Sequence, residues 1–198
     1  MDRGSPHPLV QRLEAALAAR APARAERDEP FKEAAVALVL HPLAGGSAEL
    51  LIIRRANREG DPWSGQAGLP GGRLALSDAS LEVTALRETL EEVGLDLRAQ
   101  GRVLGALDEL RPRTPVLPPI IVRPYVCVVE SPAPLVLSDE IAEARWIAID
   151  RIFRPEARVR TTVTGRNYRM QAEAYQVDDL TIWGMTERIL AGFEGLIR

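Results

Sequence analysis

The feature that most constrains this chain is the run 71–95, which opens with a glycine pair and ends in a strongly acidic segment. Its pattern predicts a helix over about 80–93. On such a helix Glu88, Glu91 and Glu92 are spaced i, i+3 and i+4, so they share one face and their Cβ atoms lie within about 6 Å of one another. Carboxylates this close repel one another, so the cluster favours a bound cation.

Signals at both ends support the helix. Asp78 or Ser80 can cap its first turn, and Gly94 stands where a left-handed residue commonly ends a helix. An apolar face would pack on the rest of the domain, and its residues are Leu81, Ala85, Leu86, Leu90 and Val93. The pattern therefore predicts one face for packing and another for chemistry.

Acidic helices are usually solvated, and an ordinary i,i+4 ion pair is the alternative interpretation of Arg87 and Glu91. The order of the run argues otherwise, because a glycine pair and an acid-bearing loop precede Arg-Glu-x-x-Glu-Glu-x-Gly-Leu over 87–95. In this order the run resembles the Nudix box, the signature of a family that hydrolyses nucleoside diphosphates linked to another moiety. It departs from the commonest form at Thr89, which replaces an aliphatic residue, and at Asp78, which replaces a glutamate in a loop that is one residue longer.

The resemblance implies an active site that uses Mg²⁺ or Mn²⁺. These hard cations prefer oxygen ligands, and they can neutralise a diphosphate, activate water and stabilise the leaving phosphate. The implied metal-binding residues are Glu88, Glu91, Glu92 and the turn Gly71-Gly72 with its main-chain carbonyls. Arg87 matches the arginine that orients the glutamates by ion pairing.

A later loop contributes a further glutamate in some members of the family, as a metal ligand or as the general base. Glu140 is the best match, because it precedes a predicted strand that contains Trp146. Asp139 or Glu143 could take its place, and a surface acid remains the other interpretation. The implied catalytic residues are thus Arg87, Glu88, Glu91, Glu92 and Glu140.

Segments outside the acidic run resemble the coenzyme A pyrophosphatase branch of the family. They are 50–56, 64–72 and 182–186, so the likeness extends over about 34–190. The reaction implied for that branch is attack of water on the diphosphate of coenzyme A or an acyl-coenzyme A, which releases 3′,5′-ADP and (acyl-)4′-phosphopantetheine. Leu69 and Ala75 depart from the branch pattern. Two alternatives stay open: a Nudix hydrolase of ADP-ribose, NADH or a nucleotide sugar, and a non-catalytic nucleotide-binding regulator.

Residues expected to contact the substrate flank the acidic run. The arginines among them can meet the diphosphate or a 3′-phosphate, and they are Arg54, Arg55, Arg58 and Arg73. Trp63 lies beside Gln66 in the polar loop 56–67, where its ring can stack on the ligand or, equally, pin the loop to the core. Both residues are included among the expected substrate contacts.

The remaining pattern predicts a mixed sheet with helices on both faces, an α/β fold that the resemblance makes a Nudix-type α/β/α sandwich. The predicted strands are 34–40, 49–54, 102–110, 120–129, 142–149, 158–163 and 168–175, and a last helix is predicted from Leu180 to Leu190 or beyond. Residues 1–30 are predicted to form an N-terminal helical arm and linker, and 31–198 the Nudix hydrolase domain. The arm would pack on the domain or on a second subunit; since many family members are dimeric, a homodimer is one expectation.

Composition narrows the partners further. A formal net charge of −3 over 198 residues, without a basic tract, argues against nucleic acid and leaves a small-molecule nucleotide as the expected partner. Cys127 is the only cysteine and is expected to be buried, while His7 and His41 lie in unrelated segments, which argues against a histidine metal site. No stretch approaches the roughly twenty apolar residues of a membrane span, so no membrane partner and a cytoplasmic location are expected.

Overall fold

The computed structural model describes residues 7–61, 63–112, 119–165 and 168–198, so most of the proline-rich bend at 111–119 lies outside the described residues. The strands are β1 (Lys32–Pro42), β2 (Ala48–Arg55), β3 (Ala67–Gly68), β4 (Gly71–Arg73), β5 (Gly101–Ala106), β6 (Ile120–Val129), β7 (Ile141–Ala148), β8 (Arg158–Gly165), β9 (Tyr168–Val177) and β10 (Leu180–Trp183). The helices are α1 (Pro8–Ala18), α2 (Leu81–Val93), α3 (Leu97–Gln100), α4 (Ile149–Ile152) and α5 (Gly184–Ile197), and a 3₁₀ turn spans Pro155–Ala157.

The central sheet is mixed and is built around β1. Along one edge, β1 pairs with β6 in parallel over 32–40. Along its other edge, β1 pairs with two strands in succession: β4 is antiparallel to 34–36, and β2 is antiparallel to 40–42. We call this divided edge the fork. β7 continues the sheet beyond β2, and β5 continues it beyond β6. The glycine turn that opens β4 therefore lies in the fork.

Both faces of the central sheet are buried, which explains the continuous apolar run of β1. Ala35, Ala37 and Val39 belong to the core beneath α2. Leu38 and Leu40 belong to the core on the other face, which α1, α5 and the small antiparallel sheet of β8, β9 and β10 cover. This layering confirms the predicted α/β/α sandwich with a mixed sheet.

The predicted linker 21–30 forms neither helix nor strand, and charged side chains tie it to the sheet. The buried carboxylate of Glu109 accepts hydrogen bonds from Ala25 N–H at 2.9 Å and from Arg27 at 3.0 Å, and it also pairs with Arg123. Burial acts to raise the pKa of Glu109, but these donors hold it below its ordinary value. Because α1 packs into the core of the same chain, the arm lies against its own domain.

Three details of the sequence prediction are wrong. The strand predicted over 102–110 ends at Ala106, and Leu110 forms an isolated bridge with Val122. The last helix begins at Gly184 rather than Leu180, because Leu180–Trp183 pairs with β9 as a strand. Leu90, predicted on the packed face of α2, is 47% exposed, and Thr84 and Thr89 are buried on that face instead.

Cys127 is buried, as predicted, and burial raises the pKa of its thiol to about 12. Among the described residues, no helix combines the length and the apolar character needed to cross a membrane.

Candidate active site

Local sequence sets the ends of α2. Ser80 is the residue that caps it, since its Oγ accepts a hydrogen bond from Val83 N–H at 3.2 Å, whereas Asp78 binds Arg87. Gly94 ends the helix with φ of 70°, the left-handed conformation predicted for it. Small, fully buried side chains on the packed face let the helix lie close to β1, so its acidic side faces the glycine turn.

The glycine pair brings the main chain and the carboxylates together. A Cβ atom at Gly72 would lie 2.3 Å from the carboxyl carbon of Glu88, so a side chain here would displace that carboxylate. At Gly71 φ is 154°, and a Cβ atom would lie 2.3 Å from the carbonyl oxygen of Ala35. Gly71 N–H donates to Glu92 Oε2 at 2.9 Å. The turn therefore meets both Glu88 and Glu92.

Arg87 links the two halves of the acidic run. Its guanidinium donates to Asp78 at 2.9 Å, to Glu88 at 2.9 Å and to Glu91 at 2.8 Å. The hydrogen bonds between Arg87 and Asp78 hold the pKa of the carboxyl well below its ordinary value and raise the pKa of the guanidinium. The i,i+4 pair with Glu91 is thus present, but Asp78, whose side chain is 2% exposed, is the principal partner.

Burial disfavours the charged forms of Glu88 and Glu92. Burial raises the pKa of Glu92 to about 7, although a backbone N–H and Arg55 favour its charged form. Burial also raises the pKa of Glu88; the bond from Arg87 opposes the shift, and the charges of Glu91 and Glu140 add to it. A divalent cation would supply the missing charge.

The donor set fits a hard divalent cation. Glu88 and Glu92 offer carboxylate oxygens beside the main chain of the glycine turn, and such oxygens are the ligands that Mg²⁺ and Mn²⁺ prefer. Both are held by arginine or backbone donors, and over the described ranges no group of three or more His, Cys, Asp or Glu side chains is arranged to hold an ion.

A cleft of about 610 Å³ lies between the glycine turn, the loop 56–66 and the start of α5. The predicted site residues that line it are Arg55, Arg58, Trp63, Gln66, Gly71, Gly72, Arg73, Glu88, Glu92 and Glu140. Arg54, Arg87 and Glu91 lie outside this lining. Arg87 acts on the cleft through Glu88, and the side chain of Glu91 is 57% exposed.

Arg55 and its neighbour Arg54 point to different places, as successive residues of a strand do. Arg55 pairs with Asp61 at 3.0 Å and lies 3.4 Å from Glu92, so it bridges the polar loop and α2. Arg54 pairs instead with Asp179 in the turn between β9 and β10. The structure therefore brings Arg55, and not Arg54, to the cleft.

Arg58 joins two loops at the mouth of the cleft. Its guanidinium lies 2.8 Å from Asp139 and 2.9 Å from Glu140. Glu140 lines the cleft, whereas Asp139 is 90% exposed and Glu143 pairs with Arg54 and Arg145 on β7. Of these three acids, Glu140 is therefore the one placed to act beside the glutamates of α2.

The cleft is also lined by three residues that the sequence pattern does not single out: Asp61, Val36 and Met185. Asp61 holds Arg55, but a loop acid carries no local signal of its partner. Val36 and Met185 belong to apolar patterns typical of core residues, and both pack against the same small cluster of buried residues from β1 and β6. A pattern along the chain does not reveal that contact.

Comparison with known proteins bears on this site. The family model described as NUDIX domain matches residues 31–164. The uncharacterized protein C14C4.10c of Schizosaccharomyces pombe is 36% identical over 118 residues, which are 58% of this chain and 36% of that protein. The peroxisomal coenzyme A diphosphatase ndx-8 of Caenorhabditis elegans is 30% identical over 122 residues, which are 61% of this chain and 50% of that protein. The matches span half or less of these two relatives.

Solved structures agree with the fold. A MutT/nudix family protein from Enterococcus faecalis superposes with a TM-score of 0.58 at 20% identity, covering 87% of this chain and 64% of that one. A binary complex of the Caenorhabditis elegans Ap4A hydrolase gives a TM-score of 0.51 at 20% identity, covering 61% of this chain and 82% of that one. At these identities the likeness concerns the fold alone.

Proposed function

This chain belongs to the Nudix family, and on that premise we propose that it is a metal-dependent hydrolase of the diphosphate in coenzyme A or an acyl-coenzyme A. The products are 3′,5′-ADP and (acyl-)4′-phosphopantetheine. The observation that carries the proposal is a single cleft in which Glu88 and Glu92, suited to a cation, lie beside Arg55 and Arg58, suited to phosphates.

Mg²⁺ or Mn²⁺, when bound, neutralises the diphosphate, activates water and stabilises the leaving phosphate. Glu88 and Glu92 would hold the ion together with a carbonyl of the Gly71-Gly72 turn. Arg87 acts outside the cleft, where its bonds to Glu88 and Glu91 fix the direction of these carboxylates. Glu91, more exposed than the other two, is proposed as a further ligand from the outer side.

Glu140 is proposed as the contribution of the second loop, either as a metal ligand or as the general base. Arg58 donates to Glu140 at 2.9 Å, so the two side chains are adjacent at the mouth of the cleft. Arg55 and Arg58 then neutralise the charge of the diphosphate. Trp63, Gln66 and Arg73, all in the lining, are proposed substrate contacts.

The choice of coenzyme A rests on two kinds of support. The segments that resemble the coenzyme A pyrophosphatase branch include the polar loop and the residues that open α5, and both of these line the cleft. The Caenorhabditis elegans relative, at 30% identity, is named a coenzyme A diphosphatase. ADP-ribose, NADH and nucleotide sugars are the competing substrates of the same chemistry.

Product identification separates these possibilities. Purified protein is incubated with Mg²⁺ and, in separate reactions, coenzyme A, ADP-ribose and NADH, and the products are identified by mass. We expect 3′,5′-ADP and 4′-phosphopantetheine from coenzyme A, and no reaction when the metal is chelated. Turnover of ADP-ribose or NADH without turnover of coenzyme A would refute the substrate, and ligand binding without any turnover would indicate a non-catalytic regulator.

A further inference from the structure

One side of the cleft is lined by aliphatic side chains from separate elements. Val36 comes from β1, Ile120 and Val122 come from β6, and Met185 and Ile189 come from α5. We call these residues the apolar wall. Ile120, Val122 and Ile189 are buried, whereas Val36 and Met185 are half-buried and so are the members that a ligand can touch. The side chains of the wall carry no nitrogen or oxygen, so they offer a ligand no hydrogen bond.

The wall begins directly beside the glycine turn. In the ladder between β1 and β4, Val36 faces Gly71, and a Cβ atom at Gly71 would lie 2.8 Å from Val36 Cγ1. The same glycine donates its N–H to Glu92 at 2.9 Å. A phosphate bound near Glu92 would therefore have the side chain of Val36 close by.

The loop side of the cleft has the opposite character. Arg55 and Arg58 carry positive charge, and Trp63 offers an aromatic ring. Such groups suit a nucleotide that has both a base and a 3′-phosphate. The lining of the cleft therefore offers a ligand two kinds of surface, one charged and aromatic and the other aliphatic.

The candidate substrates differ in the group that is esterified to the diphosphate at the end opposite the nucleoside. ADP-ribose, NADH and nucleotide sugars carry a sugar at each end of the diphosphate, and sugar hydroxyls packed on the wall would lose their hydrogen bonds to water. Coenzyme A carries a sugar at one end only. At its other end a single carbon separates the ester oxygen from a quaternary carbon with two methyl groups, which is a suitable ligand for an aliphatic surface.

We propose that the apolar wall binds the branched aliphatic part of the 4′-phosphopantetheine half, so that the ADP half lies along Arg55, Arg58 and Trp63. This inference rests on the proposed function and adds that Val36 and Met185 determine the specificity for an aliphatic group over a sugar. Met185 and Ile189 lie beyond the residues 31–164 that match the family model, so part of this selectivity comes from α5.

The test measures the two product halves as separate ligands. Binding of 4′-phosphopantetheine and of 3′,5′-ADP is measured by calorimetry in the presence of Mg²⁺, for the unmodified protein and for Met185→Ser. Loss of the aliphatic contact should weaken 4′-phosphopantetheine about tenfold and leave 3′,5′-ADP unchanged. Met185→Leu should bind both products as the unmodified protein does.

Met170 provides the matched control, because it is 50% exposed on β9 and does not line the cleft. Met170→Ser should leave both affinities unchanged, and a thermal melt of each variant checks its fold. Weaker binding of 3′,5′-ADP by Met185→Ser would show that the wall binds the nucleoside half, and unchanged binding of both products would show that it binds neither. Either result overturns the inference about the apolar wall and leaves the proposed hydrolysis of coenzyme A untouched. The proposed function itself is refuted if the unmodified protein fails to hydrolyse coenzyme A.

Discussion

At the residue scale, Glu92 is the most buried of the three clustered glutamates of α2. It is 3% exposed, it accepts Gly71 N–H, and it faces Arg55 at 3.4 Å. A glutamine keeps the shape and one acceptor oxygen but loses the charge that a cation needs. Effects on activity and on stability can therefore be separated at this position.

We predict that Glu92→Gln lowers kcat by at least about a hundredfold, because the proposed metal ligand is lost. The melting temperature should stay within a few degrees, since the burial-raised pKa means that the charged form is costly in the free protein. Steady-state kinetics and a thermal melt measure these two quantities, and electron paramagnetic resonance should show weaker Mn²⁺ binding. Glu82→Gln, an exposed change in the first turn of α2, is the control. Near-normal turnover of Glu92→Gln would refute its metal role.

Asp78 gives a second prediction, which concerns pH. Its pKa is depressed below the ordinary 3.8 by Arg87, so the pair stabilises the fold fully above that pH and loses its contribution as pH falls below it. Asp78→Asn should lower the free energy of unfolding by about 2 to 4 kcal/mol at pH 7, because it leaves the guanidinium without its buried partner. The difference from the unmodified protein should shrink as pH falls below 3.8.

Urea unfolding at a series of pH values measures that difference. Asp150→Asn is an exposed change that removes the same charge as Asp78→Asn, and it should cost less than about 0.5 kcal/mol at pH 7. If Asp78→Asn and the unmodified protein differed in free energy of unfolding by the same amount down to acid pH, the charge of Asp78 would contribute nothing to stability.

At the scale of elements, α2 is a platform whose distance from β1 sets the position of the glutamates. Ala85 is fully buried against the sheet, whereas Leu90 on the same helix is 47% exposed. We predict that Ala85→Leu lowers the free energy of unfolding by about 1 to 3 kcal/mol through overpacking, and lowers kcat as the helix moves outward. Leu90→Lys should change stability by less than about 0.5 kcal/mol.

Chemical denaturation and kinetics of this pair of variants check the prediction. A large loss of stability in Leu90→Lys would show that Leu90 is covered in the assembled protein. That result would support the homodimer that the family resemblance suggests.

The fold was predictable where local pattern and tertiary packing require the same structure. β6 spans Ile120–Val129 as predicted, because a strand buried on both faces is almost entirely apolar; only Arg123 interrupts this run. Leu180–Trp183 was predicted as helix, since a short apolar run fits either structure and its pairing with β9 decides. Leu90 was misplaced for a related reason: buried threonines occupy the face that apolar periodicity alone assigned to leucine.

Some features of the candidate site are likewise predictable from local sequence, and others depend on tertiary packing. The closeness of Glu88, Glu91 and Glu92 follows from helix geometry and needs no tertiary information. The choice of Arg55 over Arg54 depends on which face of β2 meets the cleft. The bond between Arg58 and Glu140 joins residues 82 positions apart, and the apolar wall joins three elements, so neither has a signal in any short segment.

At the scale of the whole molecule, the arm is part of the core. Leu9, Val10, Leu13 and Leu17 are buried, and three of them, Leu9, Leu13 and Leu17, belong to the core on the face of the sheet opposite α2. The family model begins at residue 31, so a domain cut there would expose that face. The division into an arm of 1–30 and a domain of 31–198 remains a prediction that such a cut tests.

We predict that the fragment 31–198 is less stable than the full chain by on the order of 4 kcal/mol or more, from the loss of buried aliphatic area. At about 2 to 4 °C per kcal/mol its Tm should fall by on the order of 10 °C. Differential scanning fluorimetry and binding of a hydrophobic dye measure the effect, and Arg12→Ala, exposed on α1, serves as the control. An unchanged Tm would show that the domain is self-sufficient.

The fork in β1 has a consequence for motion. Ala37 N–H donates to Pro70 O at 2.8 Å, and Gly71 N–H donates to Glu92, so the glycine turn is fastened to the sheet on one side and to α2 on the other. In hydrogen–deuterium exchange the amide of Ala37 should exchange only when the whole molecule unfolds, whereas that of Arg58, bonded to Ser64 Oγ in an exposed loop, should exchange within local openings. Opening of the loops would then set the rate at which ligands enter and leave, while the glycine turn keeps its position.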